Sequence, residues 1–275
     1  MTLSRELCVG TVDVIVDRLG LTELPGETTP ERMVLTSPMV PDGPVGAMRI
    51  WRKADVVDLV YVGLTVPMIG LDSHMMFAFT TPTSAVPHFT LDSIMGGGGP
   101  PPGAAPGAPP VDAAAVDAAA EERAEFAFHL DLIPKLDLGA NLSYMDHCFG
   151  PLTALLEKGE AIDGLTPAKL SPRQYAVMSA WMFVHRADES AFRAISEIVD
   201  AYRDHWFDLV EAGIDAAVLD GTTSEQVAER DRRNRAIVFD PDVDPVWGRV
   251  ARLVGEDVAE TVRSTLAVPL STASF

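Results

Sequence analysis

Histidine and aspartate recur at even spacing in the middle of this chain, in His88-Phe-Thr-Leu-Asp92 and in His129-Leu-Asp131. In an extended strand, even spacing places side chains on one face. His88, Thr90 and Asp92 therefore share a face, with Phe89, Leu91 and Ser93 on the other, and His129 and Asp131 share a face in the same way. His74 begins the strand before them. A sheet face that carries several imidazoles and carboxyls is rich in titratable groups, and these need partners or water. The competing account is that these groups are capped or face solvent, because an unpaired buried charge is costly.

Other chemistries lack their patterns. His88-x-x-x-Asp92 and Asp146-His-Cys148 contain ligand-type residues, but no His-x-x-x-His or Cys-x-x-Cys pair accompanies them, so no metal is expected. No Gly-x-Ser-x-Gly elbow occurs. The glycines from Gly96 to Gly99 lack the Lys-Ser/Thr of a phosphate loop, and no dinucleotide fingerprint is present. Positive charge concentrates in Glu229-Arg-Asp-Arg-Arg-Asn-Arg235, where Arg230, Arg233 and Ile237 fall near one helical face and Arg232 and Arg235 lie beside it. Guanidinium forks suit carboxylates. These arginines either pair with the chain's own acids or hold an anionic ligand or an acidic partner.

The elements that must position these groups change character along the chain. A helix is expected over Ser4 to Leu19. Strands are expected at Glu31–Thr36, Ala47–Arg52, Val56–Val62, His74–Thr80, His88–Ile94 and Phe126–Ile133, with connections too short for crossover helices. The sheet should thus be mainly antiparallel. After Gly150 helices take over. Ser171-Pro-Arg-Gln starts one in which Tyr175, Met178, Trp181, Met182 and His185 keep helical spacing. Others are expected from Ser190 through Leu209 to a stop at Gly213, from Thr223 to Ile237, and from Glu256 to Leu266. This order implies an α+β fold, a central antiparallel sheet flanked by helices on both faces, in one domain over residues 1–275. The Gly/Pro/Ala-rich stretch at 95–125 has nothing to pack, and ordering it would cost ~1–2 kcal/mol per residue. It is expected to be a flexible insertion between two paired strands.

Composition removes other classes. The chain has 275 residues, enough to build a core without disulfides or a structural metal. With 40 acidic and 21 basic residues its net charge is -19, and nucleic acid would be repelled. Cys8 and Cys148, the two cysteines, read as free thiols in a reducing compartment. The N-terminus lacks the order of a secretory signal, and the most apolar stretch, Val56 to Phe79, is broken by Asp58 and Asp72. A cytoplasmic protein that does not span a membrane is expected.

Two blocks resemble the ferredoxin-dependent bilin reductases together with red chlorophyll catabolite reductase. The first is Leu71-Asp-Ser-His-Met-Met-Phe77, Val86-Pro-His-Phe-Thr-Leu-Asp-Ser-Ile94 and Leu130-Asp-Leu-Ile-Pro-Lys-Leu-Asp-Leu138. The second is Arg230-Asp-Arg-Arg-Asn-Arg235 with Asp244-Pro-Val-Trp-Gly-Arg-Val-Ala-Arg-Leu-Val-Gly-Glu256. The resemblance implies an α/β/α sandwich whose pocket lies between the sheet and the C-terminal helices. It implies reduction of a linear tetrapyrrole, biliverdin or a chlorophyll catabolite, by a radical mechanism, with no bound cofactor and electrons from reduced ferredoxin. Asp92 matches the family's central-strand acid and Asp244 its second carboxylate. His74 is similar in placement to the family's catalytic histidine, with one extra residue between it and Asp92, and His88 is the substitute. Arg230, Arg232, Arg233 and Arg235 would hold propionates or the ferredoxin, with Arg249 and Arg252 joining the docking patch. A tetrapyrrole-binding protein without catalysis, or an enzyme acting on another conjugated metabolite, are the alternatives.

Overall fold

The computed structural model describes residues 2–96 and 126–270, so the expected insertion at 95–125 lies almost wholly outside the described residues. The N-terminal helix α1 (Leu3–Leu19) starts at Thr2, whose hydroxyl accepts from the Arg5 N–H, and stops at Gly20 in the left-handed conformation. Then come β1 (Thr22–Glu23), β2 (Met33–Ser37), β3 (Val40–Lys53), β4 (Val57–Val66), β5 (Leu71–Thr80), β6 (His88–Met95) and β7 (Phe126–Ile133). Short helices α2 (Leu142–Cys148), α3 (Thr153–Glu160) and α4 (Pro172–Val177) alternate with β8 (Leu165–Pro167) and β9 (Phe183–Ala187). The chain closes with α5 (Glu189–Ala194), α6 (Ser196–Ala212), α7 (Ser224–Val238), α8 (Val246–Val254) and α9 (Glu256–Ala267).

The strands form one sheet in the order β1-β3-β4-β5-β6-β7-β9-β8, with β2 also on β3, and every pairing among the described residues is antiparallel. Register decides which side chains meet. Met48, Val62, Met75, Asp92, His129 and Val184 form one row across the sheet. Ala47, Gly63, His74, Ser93, Phe128 and His185 form the adjacent row, on the opposite face.

Each face has its own core. On one, Cys8, Val12 and Ile15 of α1 and Ile198, Tyr202 and Trp206 of α6 bury Leu59, Met76, Phe89, Leu91 and Leu130. On the other, Val238, Trp247, Leu253, Val262 and Leu266 of α7, α8 and α9 cover Ile50, Val60, Val62, Phe77 and Phe79. At roughly 1.5–3 kcal/mol for each large apolar side chain taken out of water, both cores hold helices that would not persist alone.

The expected helix from Ser171 to His185 is corrected. Its start is right: Ser171 and Gln174 form a reciprocal capping box with Pro172 at the first turn. The helix nevertheless ends at Val177, because Met178 turns extended and Ser179 is captured by the buried Asp131 carboxylate, which accepts from its N–H at 2.9 Å and its hydroxyl at 2.5 Å. The chain beyond it pairs with β7 as β9, burying Phe183, His185 and Ala187 on one face. Helical and strand spacing both fit Trp181 to His185, and pairing with an open sheet edge decides between them. The single helix expected from Ser190 is two, broken at Ile195, and α8 is an element that the periodicity reading omitted.

Candidate functional site

A small cavity of about 40 Å³, open to solvent at its mouth, lies on the face of the sheet covered by the C-terminal helices. Asp92 and Thr90 of β6 and His129 of β7 form part of its floor. Phe77, Met178 and Phe239 supply flat or pliable apolar wall, Gln174 of α4 a neutral polar group, and Asp244, just before α8, the second carboxyl. The period-two reading of β6 thus holds: Thr90 and Asp92 face the cavity, while Phe89 and Leu91 are in the opposite core.

Asp92 and His129 are direct cross-strand partners. The His129 Nδ1 stands 3.6 Å from the Asp92 Oδ2, an ion-pair distance longer than a hydrogen bond. Their other polar atoms, Asp92 Oδ1 and His129 Nε2, are buried with no hydrogen-bond partner among the described residues. Buried polar atoms are normally satisfied, so this pair marks a place built for a ligand or water. Burial alone would lower the His129 pKa, but the negative charges of Asp92, Asp131 and Asp244 outweigh it and raise it. Asp244 uses one oxygen to accept from the Val246 N–H at 3.0 Å, which begins α8. Burial, helped by the charge of Asp92, pushes its pKa up to about 6. The site therefore joins a carboxylic acid poised near neutrality, a second carboxyl and an imidazole kept basic.

His74 is not brought to this cavity. It lies one residue out of phase, on the α1 face, where Met75 and not His74 stands beside Asp92. There it is 2% exposed. Its Nδ1 is 2.7 Å from the Tyr61 hydroxyl and its Nε2 3.1 Å from Asp72, which also accepts from Thr2 and Thr65. Burial lowers the His74 pKa, so Nε2–H donates to Asp72 and Tyr61 donates to Nδ1. Replacing His74 by asparagine should lower stability by about 1–3 kcal/mol, through unsatisfied partners, and leave ligand binding in the cavity unchanged. Chemical denaturation beside a binding titration checks both.

His88 shares the face of Asp92 but is locked elsewhere. Its Nδ1 accepts from the Thr80 N–H at 3.1 Å, which makes Nε2 the protonated nitrogen, and Nε2 donates to Asp231 of α7 at 2.6 Å. Lys135 Nζ meets the same Asp231 oxygen at 2.7 Å. This buried cluster fastens α7 to the sheet.

None of the four arginines lines the Asp92 cavity. Arg232 and Arg233 pair with Glu229 on the exposed side of α7. Arg230 donates to the Leu136 carbonyl and, with Arg233, borders a shallow outer groove. Arg235 is 3% exposed, donates to the Leu266 and Val268 carbonyls and lies over the Phe79 ring. His129 is the titratable cavity residue that sequence reasoning left out of its site. Its even spacing to Asp131 was visible, but only the β6–β7 register shows that it faces Asp92.

Among the described residues no three His, Cys, Asp or Glu side chains could hold a metal ion. None of the described helices is long and apolar enough to cross a membrane. Both cysteines are buried and free.

No protein-family model and no curated protein matches this sequence. Among solved structures, phytochromobilin synthase from tomato in complex with biliverdin is similar with a TM-score of 0.65 and 14% sequence identity, over 94% of this chain and 80% of that chain. At that identity the likeness shows the fold.

Proposed function

We propose that this chain is an oxidoreductase that reduces a linear tetrapyrrole, with electrons supplied singly by reduced ferredoxin and protons by side chains of the cavity. The observation that carries the reading is the pairing of Asp92 with Asp244 across an apolar cavity under the C-terminal helices, with Asp244 pushed up to about 6. The biliverdin held by a protein of the same fold supports the choice of substrate class. Reducing one double bond consumes two electrons and two protons. An aromatic and aliphatic wall suits a flat conjugated pigment, and a carboxylic acid near neutrality suits protonation of the radical formed by the first electron.

With a pKa near 6, about one Asp244 in ten carries its proton at pH 7, and the fraction falls tenfold for each further unit. The reduction rate should therefore decline as pH rises above about 6. Arg249 and Arg252 lie on α8, the helix that Asp244 begins, and place positive charge near the cavity in a chain of net charge -19. An acidic electron donor would approach there.

The test is to mix the protein with biliverdin, record absorption and circular dichroism, then add ferredoxin, its reductase and NADPH without oxygen. An induced chiral pigment band that shifts on reduction, more slowly at pH 8 than at pH 6, is the expected result. Binding without reduction would leave a tetrapyrrole-binding protein, and no induced band would overturn the substrate class.

A further inference from the structure

We infer that His129 is the imidazole that hands a proton to the ligand in this cavity, with Asp92 holding its other ring nitrogen in place. The inference deepens the reading above, and it rests on that reading only for the identity of the proton acceptor.

Three geometric facts support it. His129 lines the cavity directly, whereas His74 stands behind the sheet and His88 is held on both nitrogens by Thr80 and Asp231. Its Nδ1 faces the Asp92 Oδ2 at 3.6 Å, and its Nε2 is buried without a partner. The one strand that could have brought His74 beside Asp92 presents Met75 there instead. The imidazole of this site thus comes from the opposite neighbour of Asp92, β7 in place of β5.

The groups around the ring favour its charged form. Asp92 faces it from β6, Asp131 lies two residues along its own strand, and Asp244 faces the cavity from the start of α8. Gln174 of α4, Val184 of β9 and Phe239 after α7 bring no charge. Arg249 acts chiefly on Asp244.

The step balances simply. In the imidazolium both nitrogens carry hydrogen: Nδ1–H points at Asp92, and the Nε2–H bond breaks as its proton passes to the pigment radical anion made by one electron from ferredoxin. The ring is left neutral, with Nδ1–H still facing Asp92, and Nε2 regains a proton from solvent through the mouth. The second electron comes from the same donor and the second proton from Asp244.

The test begins without ligand. Imidazole resonances of the full chain are followed against pH by NMR, and the His129 signal is assigned by its loss in His129→Gln. Its midpoint should lie above the ordinary value of about 6.5 and fall by about one unit or more in Asp92→Asn. A midpoint at or below 6.5 that ignores Asp92→Asn would overturn the inference. In single-turnover reduction of bound biliverdin, His129→Gln should be about a hundredfold slower with pigment affinity unchanged. Free imidazole should restore part of the rate to His129→Gly, which a merely structural role would not allow. Wild-type rates in His129→Gln would also overturn the inference. If the wild-type protein reduces no bilin, the tetrapyrrole reading falls by itself, and the titration still decides whether His129 is the charged donor.

Discussion

Replacing Asp92 by asparagine is expected to slow bilin reduction about 10²–10⁴-fold and to leave pigment binding intact. Asparagine keeps the size and hydrogen-bonding reach of the side chain but can neither carry a charge nor release a proton. Asp92 also acts on its neighbours. Its charge adds to the burial that raises the Asp244 pKa, and it opposes the burial that would lower that of His129. In Asp92→Asn, whatever reduction remains should lose its rate at lower pH than in the wild type, because Asp244 then ionises earlier. Stopped-flow reduction across pH, beside an equilibrium titration of pigment, separates the two effects. If Asp92→Asn reduced at the wild-type rate, Asp92 would have no part in the chemistry.

The largest effect on stability should follow Asp231→Asn. Asp231 is 1% exposed and its Oδ1 accepts from both Lys135 and His88. Without the carboxylate, the Lys135 ammonium, itself 1% exposed, keeps neutral acceptors alone, the Thr81 carbonyl at 3.3 Å and the new amide oxygen, and has no counter-charge. Breaking one side of a buried ion pair costs about 3–5 kcal/mol. Pairing Asp231→Asn with Lys135→Met should recover most of that loss, since it removes the stranded charge and leaves an apolar side chain of similar length. Urea denaturation of both variants checks this; an equal loss in single and double variants would count against the ion-pair account.

The same cluster sets a pH dependence. Burial pulls the His88 pKa down to about 4 from 6.5, so the unfolded chain takes up that proton first as pH falls. Stability from this group is complete above about 6.5 and is lost between there and about 4. Although burial works against it, the charges and hydrogen bonds of His88 and Lys135 hold Asp231 well below the usual carboxylate range, so a second loss follows below about 3.8. Asp244, raised to about 6 by burial, has the opposite sign: its contribution increases as pH falls from 6 to 3.8.

Local pattern accounts for much of the architecture. Alternation in His88–Ile94 and Phe126–Ile133 assigned the two strands that floor the cavity, and caps at Ser171 and Thr223 marked two helix starts. The resemblance placed Asp92 and Asp244 in one pocket, and both line the same cavity. These features depend on neighbours within a few residues, or on motifs that carry their own spacing, and can be read along the chain.

The identity of the cavity's histidine could not be read that way. A strand has a side-chain period of two, so one residue more or fewer between His74 and Asp92 sends the imidazole through the sheet. The β5–β6 register, set by how the 81–87 connection closes, chose Met75 for the cavity and gave His74 to Tyr61 and Asp72. Likewise the arginines of α7 looked alike in sequence, and only packing buried Arg235 while leaving Arg232 and Arg233 to pair with Glu229. The sequence alone determined the alternating faces of the strands and the helix caps at Ser171 and Thr223, because local spacing specifies them, and the carboxyl pair came from the family resemblance. Tertiary structure alone decided which imidazole joins those carboxyls, because facing is a property of register between strands and not of either strand by itself.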